Sequence, residues 1–213
     1  MTISYLTFIK HAEKMVKDIG FAKPALKGVY HTFDGSVIVS DGRRVYKALD
    51  VQSRNDGASI DPGTGKEIEG AYPSIQELIP KGLVDRLHVQ SATYLHLVTD
   101  AFIKAGVVPK PGEKKGKKED VILRLEAVHN NAATDLSVES KALQASIDLG
   151  QSENYLYFEY RINAEHFLQA LALFKDAGHE ELYLNFYEDE FAFQMVSTDT
   201  NASLRAVIPV VFD

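Results

Sequence analysis

The stretch VSDGRRVYKAL, residues 39–49, sets an Asp-Gly turn and the arginine pair Arg43 and Arg44 between two runs of strand-forming residues. Asp-Gly flanked by alternating apolar residues signals a tight hairpin, favoured where both central residues reach positive φ. The same signal stands one strand upstream at Asp34-Gly35, so residues 26–32, 36–40 and 45–49 read as three consecutive antiparallel strands. Ahead of them, Ile9, Ala12, Met15, Val16 and Ile19 recur on one helical face, which predicts an amphipathic helix over 7–19. The resulting unit is a short strand, a helix and then strands joined by tight turns.

That unit recurs twice. A second copy opens with RLHVQS at 86–91 and continues through a helix carrying Tyr94, Leu95, Val98 and Phe102. It resumes as strands in DVILRLEAVHN, DLSVES and ALQASIDLG. The intervening VVPKPGEKKGKKED, 107–120, has the prolines, glycines and lysines of an exposed loop. A third copy begins at NYLYFEYRI, 154–162. Asn163 is placed to cap a helix whose buried stripe is Phe167, Leu168, Leu171 and Phe174, and Gly178 stands where a helix-ending glycine belongs. Residues 177–187, 190–197 and 203–213 supply its strands. The expected fold is therefore α+β, built of βαβββ units, with antiparallel sheets carrying helices on one face. Residues 1–50 hold the first unit, 51–80 a hairpin and linker, and 81–213 the other two units.

Composition narrows the function. At 45% hydrophobic and 25% charged over 213 residues, the chain is an ordinary folded protein. It has no cysteine, which removes disulfides and thiolate metal sites. The N-terminus carries lysines where a signal peptide needs an apolar run, and no stretch approaches the ~20 apolar residues of a membrane span, so a cytoplasmic protein is expected. A net charge of −7 argues against a generally basic nucleic-acid-binding surface, although a local basic stripe is compatible with it. DPGTGK at 61–66 is not a phosphate loop. Ile60 replaces the required first glycine and Glu67 follows Lys66 where a hydroxyl must ligate magnesium, so a hairpin tip is expected. The seven histidines, His11, His31, His88, His96, His129, His166 and His179, form no zinc-protease pair and read as surface or half-buried. The carboxylates Glu188, Asp189 and Glu190 read as a solvated turn, there is no Gly-x-Ser-x-Gly elbow, and neither an enzyme nor a cofactor is implied.

The repeated units, VIVSDGRRVYKA in the first, AYPSIQELIP before the second and AVIPVVF at the end together resemble the bacterial DNA polymerase III sliding clamp, the beta subunit, in shortened form. The resemblance implies a replication accessory protein that tethers polymerases and repair proteins by a short hydrophobic peptide. By it, Gly42, Arg43, Arg44 and Val45 form one wall of the peptide groove, with Leu26 and Ser40 on the flank. Pro73 and Leu78 form the floor, and Ile208, Pro209 and Val210 the far wall. A rim arginine suits peptide carbonyls or a carboxylate. Arg43 stands at the family's turn histidine, Glu77 at its floor arginine, and Ile208 and Val210 at its C-terminal methionines. Clamps encircle double-stranded DNA as rings, and Lys10, Lys14 and Lys17 form the basic stripe on the first helix. The lysine loop 110–118 is a second source of phosphate contacts. The resemblance implies that two units make a domain, so that 81–213 is a complete domain and 1–50 half of another; either residues 51–70 cap this half domain, or another copy completes it in a homo-oligomer. A non-ring module, of phage or mobile-element type, that competes for clamp-binding partners is the alternative.

Overall fold

The computed structural model describes residues 3–17, 19, 24–51, 54–107, 116–117, 121–127, 133–139, 145–154, 157–188 and 191–212. Its elements run α1 (Tyr5–Val16), β1 (Val29–His31), β2 (Val37–Ser40), β3 (Val45–Ala48), β4 (Ser59–Ile60), β5 (Leu83–Val89), α2 (Ala92–Gly106), β6 (Ile122–Ala127), β7 (Ala133–Glu139), β8 (Ser146–Gln151), β9 (Phe158–Asn163), α3 (Ala164–Asp176), β10 (Leu182–Tyr187), β11 (Ala192–Ser197) and β12 (Leu204–Pro209). Single 3-10 turns lie at Pro24–Lys27 and Gln76–Leu78.

Side-chain chemistry starts each helix. Ser4, Ser91 and Asn163 accept from the backbone N–H groups of Thr7, Tyr94 and His166, satisfying donors that the first turn leaves open. Gly178, at φ 80°, ends α3: its N–H donates to Lys175 while that of His179 reaches back to Phe174. No strand precedes α1 among the described residues, where the unit's pattern predicts one.

The strands form two antiparallel sheets, ordered β4-β1-β2-β3-β12-β11-β10-β5 and β8-β7-β6-β9. The opening strand of each later unit crosses to the other unit's sheet, β5 onto β10 and β9 onto β6. The sheets also meet at both ends, where Glu153 N–H donates to Arg86 O at 2.8 Å and Val211 N–H to Arg161 O at 2.7 Å. At the far edge, the chain's own hairpin lies along β1. Ser59 and Ile60 pair with Tyr30 and Val29, and Ile68 N–H returns to Ser59 O. DPGTGK is the tip of that hairpin, with the Asp61 carboxylate accepting from Gly63 and Thr64.

The Asp-Gly turns differ in type from the expectation. Only the glycines have positive φ, 80° at Gly35 and 88° at Gly42. Asp34 and Asp41 instead accept backbone N–H groups through their carboxylates, from Ser36 and from Arg43 and Arg44 respectively.

Alternation along the strands divides the apolar residues between two faces. The inner face meets the helices, with α3 packed against both α1 and α2. There Phe158 and Tyr160 of β9, Phe186 of β10, Phe193 of β11 and Phe167 of α3 form an aromatic cluster that joins both sheets. On α2, Tyr94 is exposed, while Thr99 and Ile103 are buried with Leu95 and Phe102. Replacing fully buried Phe167 by alanine is expected to cost about 3–5 kcal/mol, against less than about 0.5 kcal/mol for exposed Leu6, as measured by urea unfolding.

Three histidines are core residues, contrary to the surface or half-buried reading. His31 is sealed and paired with the Tyr5 hydroxyl at 2.9 Å, His11 meets Asp176 at 3.1 Å, and His179 packs on Phe174. His129, Asp189 and Glu190 lie outside the described residues. Burial lowers the pKa of His11, His31 and His179; burial together with the Arg44 charge takes His166 down to about 4. A histidine with a depressed folded pKa stabilises fully above its unfolded value, and that stability is lost as pH falls through the folded one. The urea midpoint should therefore hold above about pH 6.5 and begin to fall between about 6.5 and 5, above the range in which ordinary carboxylates titrate. A flat profile over that range would contradict these burials.

Candidate functional site

The hairpin of residues 40–45 is fixed from beneath. Asp41 Oδ1 accepts from the backbone N–H groups of Arg43 (2.9 Å) and Arg44 (2.8 Å), and its Oδ2 accepts from Arg44 Nε at 2.7 Å. The Arg44 guanidinium continues to Gln169 Oε1 of α3 at 2.7 Å, and Gln169 donates to Glu165. Arg44 is only 6% exposed. Burial would raise the Asp41 pKa, but the Arg44 charge and the donated hydrogen bonds outweigh it and hold the carboxyl below its ordinary value. This chain of bonds ties the hairpin to the helix layer and leaves Gly42 on the outer side. There the Ser40 hydroxyl accepts from the Gly42 N–H at 3.0 Å.

The segment after the edge hairpin packs on the outer face of the large sheet. Tyr72 stacks on Tyr30 with ring centroids 5.1 Å apart. Ile75, Leu78 and Ile79 join Ile38, Val45, Ala192 and Val207 in a second, smaller apolar cluster. Pro73 limits the backbone before the short 3-10 turn, which is closed by Leu78 N–H to Ile75 O at 2.9 Å. Between this segment, the hairpin and the Pro24–Lys27 turn lies a cleft of about 330 Å³, lined by Leu26, Ser40, Gly42, Pro73, Ser74, Ile75, Glu77 and Leu78. An apolar concavity of this size with a few polar groups suits one or two anchoring side chains of a ligand.

Of the residues singled out from sequence, Leu26, Ser40, Gly42, Pro73 and Leu78 meet in this cleft, although they span more than fifty positions of chain. Arg43 is exposed at the hairpin tip and Val45 is buried beneath it. Four placements correct the expectation. Arg44 is an internal strut and not a rim donor. Ile208 is fully buried in the inner core, because alternation along β12 turns Val207, not Ile208, to the outer face. Val210 also packs against the inner core, while Pro209, paired with Ala192, is half-buried and does not line the cleft. Ser74 and Ile75 were missed; their place between Pro73 and Leu78 was the available signal.

The basic stripe is weaker than its spacing implies. Lys14 and Lys17 are exposed, but Lys10 is bound to Asp176 at 2.9 Å. Lys104 is paired with Asp100 on α2, and Glu13 and Glu165 add negative charge to the helices. The lysine loop lies outside the described residues except for Gly116 and Lys117. No group of histidine and carboxylate side chains able to hold a metal occurs among the described residues, and no described helix is long and apolar enough to cross a membrane.

Units with exchanged opening strands, antiparallel sheets and one helix layer define a clamp-type fold. It is the fold of the bacterial sliding clamp. The DNA polymerase III beta chain of Streptococcus pneumoniae matches with a TM-score of 0.73 at 14% identity, over 98% of this chain and 63% of that one. The sliding clamp of Bacillus subtilis matches at 0.72 and 14%, over 98% and 63%. The Helicobacter pylori beta clamp, solved in complex with 3,4-difluorobenzamide, matches at 0.68 and 14%, over 100% and 66%. The chain thus spans just under two thirds of the length of these clamps. No protein-family model and no curated protein matches the sequence.

Removing one partner of the buried pair strands the other. Arg44→Met should lower stability by about 3–5 kcal/mol in urea unfolding, whereas exposed Arg43→Met should change it by less than about 0.5 kcal/mol. Equal small effects would mean that Arg44 is a surface charge.

Proposed function

We propose that the protein is a clamp-like accessory factor of DNA replication that holds a polymerase or repair partner by a short hydrophobic peptide seated in the 330 Å³ cleft. The observation that carries this reading is the convergence of Leu26, Ser40, Gly42, Pro73 and Leu78, drawn from three separate segments, on one concave apolar site of a sliding-clamp fold. The role is tethering, without catalysis, and the chemistry is burial of leucine or phenylalanine anchors with main-chain hydrogen bonds at the edge. The division into a half domain at 1–50, a hairpin and linker at 51–80, and a full domain at 81–213 belongs to the same reading.

A second reading, a clamp-like module that does not encircle DNA, is favoured by a separate observation. The edge of the first unit's sheet is covered by the chain's own β4 hairpin, and the lysines of the helix layer are largely offset by carboxylates. Solution mass by light scattering separates the two: a closed homo-oligomer supports a ring around double-stranded DNA, and a monomer at all concentrations supports the module.

The cleft itself is tested by fluorescence polarisation with a blocked pentapeptide bearing leucine and phenylalanine anchors. Leu78→Ala should weaken binding by about 1–2 kcal/mol, and Ser74→Trp, which fills the cleft from an exposed position, by at least as much. Unchanged affinity in both variants would rule the cleft out as the binding site.

A further inference from the structure

Among the described residues, one ionisable side chain lines the cleft. Arg44, which the sequence places at the rim, spends its guanidinium on Asp41 Oδ2 and Gln169 Oε1 and sits at 6% exposure, so it offers no charge to a ligand. Asp41 is neutralised by the same contact. Arg43 is exposed at the hairpin tip but does not line the cleft. The remaining lining groups are Leu26, Gly42, Pro73, Ile75, Leu78 and two serine hydroxyls, which leaves Glu77 as the one ionisable lining side chain among the described residues.

We infer that Glu77 is a specificity residue that selects peptides carrying a lysine or arginine beside their hydrophobic anchors and disfavours those carrying aspartate or glutamate there. The inference rests on the proposed peptide-binding reading of the cleft and goes beyond it by fixing the ligand's charge. Glu77 lies in the first turn of the Gln76–Leu78 element, between Ile75 and Leu78, which both reach the apolar cluster below. An anchor seated against Leu78 therefore brings its neighbouring residue alongside the carboxylate. A cation there gains an ion pair at a partly solvated rim, whereas a carboxylate meets like charge next to an apolar wall. Because the cleft is open, the expected preference is modest and salt-sensitive.

The test uses three blocked pentapeptides that share leucine and phenylalanine anchors and differ only in having lysine, glutamine or aspartate between them. Their affinities are measured by fluorescence polarisation at low and high salt for the parent chain, Glu77→Gln and Glu77→Lys. The expected order is lysine over glutamine over aspartate, about two- to fivefold per step at low salt, shrinking at high salt. The order should collapse in Glu77→Gln and reverse in Glu77→Lys. The overall charge of −7 would by itself draw a cationic peptide, so a lysine preference that survives Glu77→Gln overturns the inference. Equal affinity for all three peptides also overturns it while leaving the cleft reading standing. If none of the three binds the parent chain, the cleft reading falls and takes the inference with it. Glu77 is exposed and outside the apolar cluster, so both variants should keep the parent's urea midpoint.

Discussion

Four residue pairs, from Val45 with Val207 to Ala48 with Leu204, carry the sheet of the first unit into that of the last. Without this ladder, β1 to β4 would be a small sheet with an unpaired edge and a single helix, which is below what usually stands alone. With it, one eight-stranded sheet spans both parts. Its inner face takes α1 and α3, and its outer face is wide enough to receive Ile75, Leu78 and Ile79. The cleft exists because the hairpin that begins at Ser40 projects from this seam just where the 72–79 segment crosses it. The bond from Arg44 to Gln169 crosses the same seam and fixes the hairpin's height above α3.

The fold was legible in sequence where local chemistry decides it. Asn163 and Gly178 bound α3 as their residue types require, and Asp34-Gly35 and Asp41-Gly42 mark real chain reversals. The exchange of β5 and β9 between sheets was not legible, because both sheets offer an apolar edge and nothing within either strand names its partner. Turn type was misjudged for a related reason. An aspartate carboxylate that accepts backbone N–H groups replaces the positive φ that a two-residue turn demands, and the dipeptide alone does not distinguish these solutions. The buried histidines were hidden because only tertiary packing sets Tyr5 against His31 or Asp176 against His11.

The site divides in the same way. Leu26, Ser40, Gly42, Pro73 and Leu78 were found through a family resemblance, and the geometry does bring them together. Arg44 and Ile208 were misplaced for two physical reasons. An arginine three residues beyond an aspartate in a turn is drawn inward by it, and a strand residue's face depends on a register that only β12's pairing with β11 and β3 sets. With Arg44 withdrawn, the cleft lacks the cation expected of that position, and Glu77 is the ionisable side chain that lines it among the described residues. The helix layer shows a comparable shift, since Lys10 and Lys104 are engaged by acidic neighbours and leave a weaker positive field than their spacing along the chain implies.

The central claim is that the seam between the first unit and the last is a binding site for a hydrophobic peptide. Backbone hydrogen exchange, measured with and without a saturating concentration of the glutamine-centred pentapeptide, tests it most directly. The account predicts added protection confined to residues 40–45 and 72–79, with the helix layer unchanged. Protection that spares both segments, or that falls on the outward faces of α1 and α2, would contradict it.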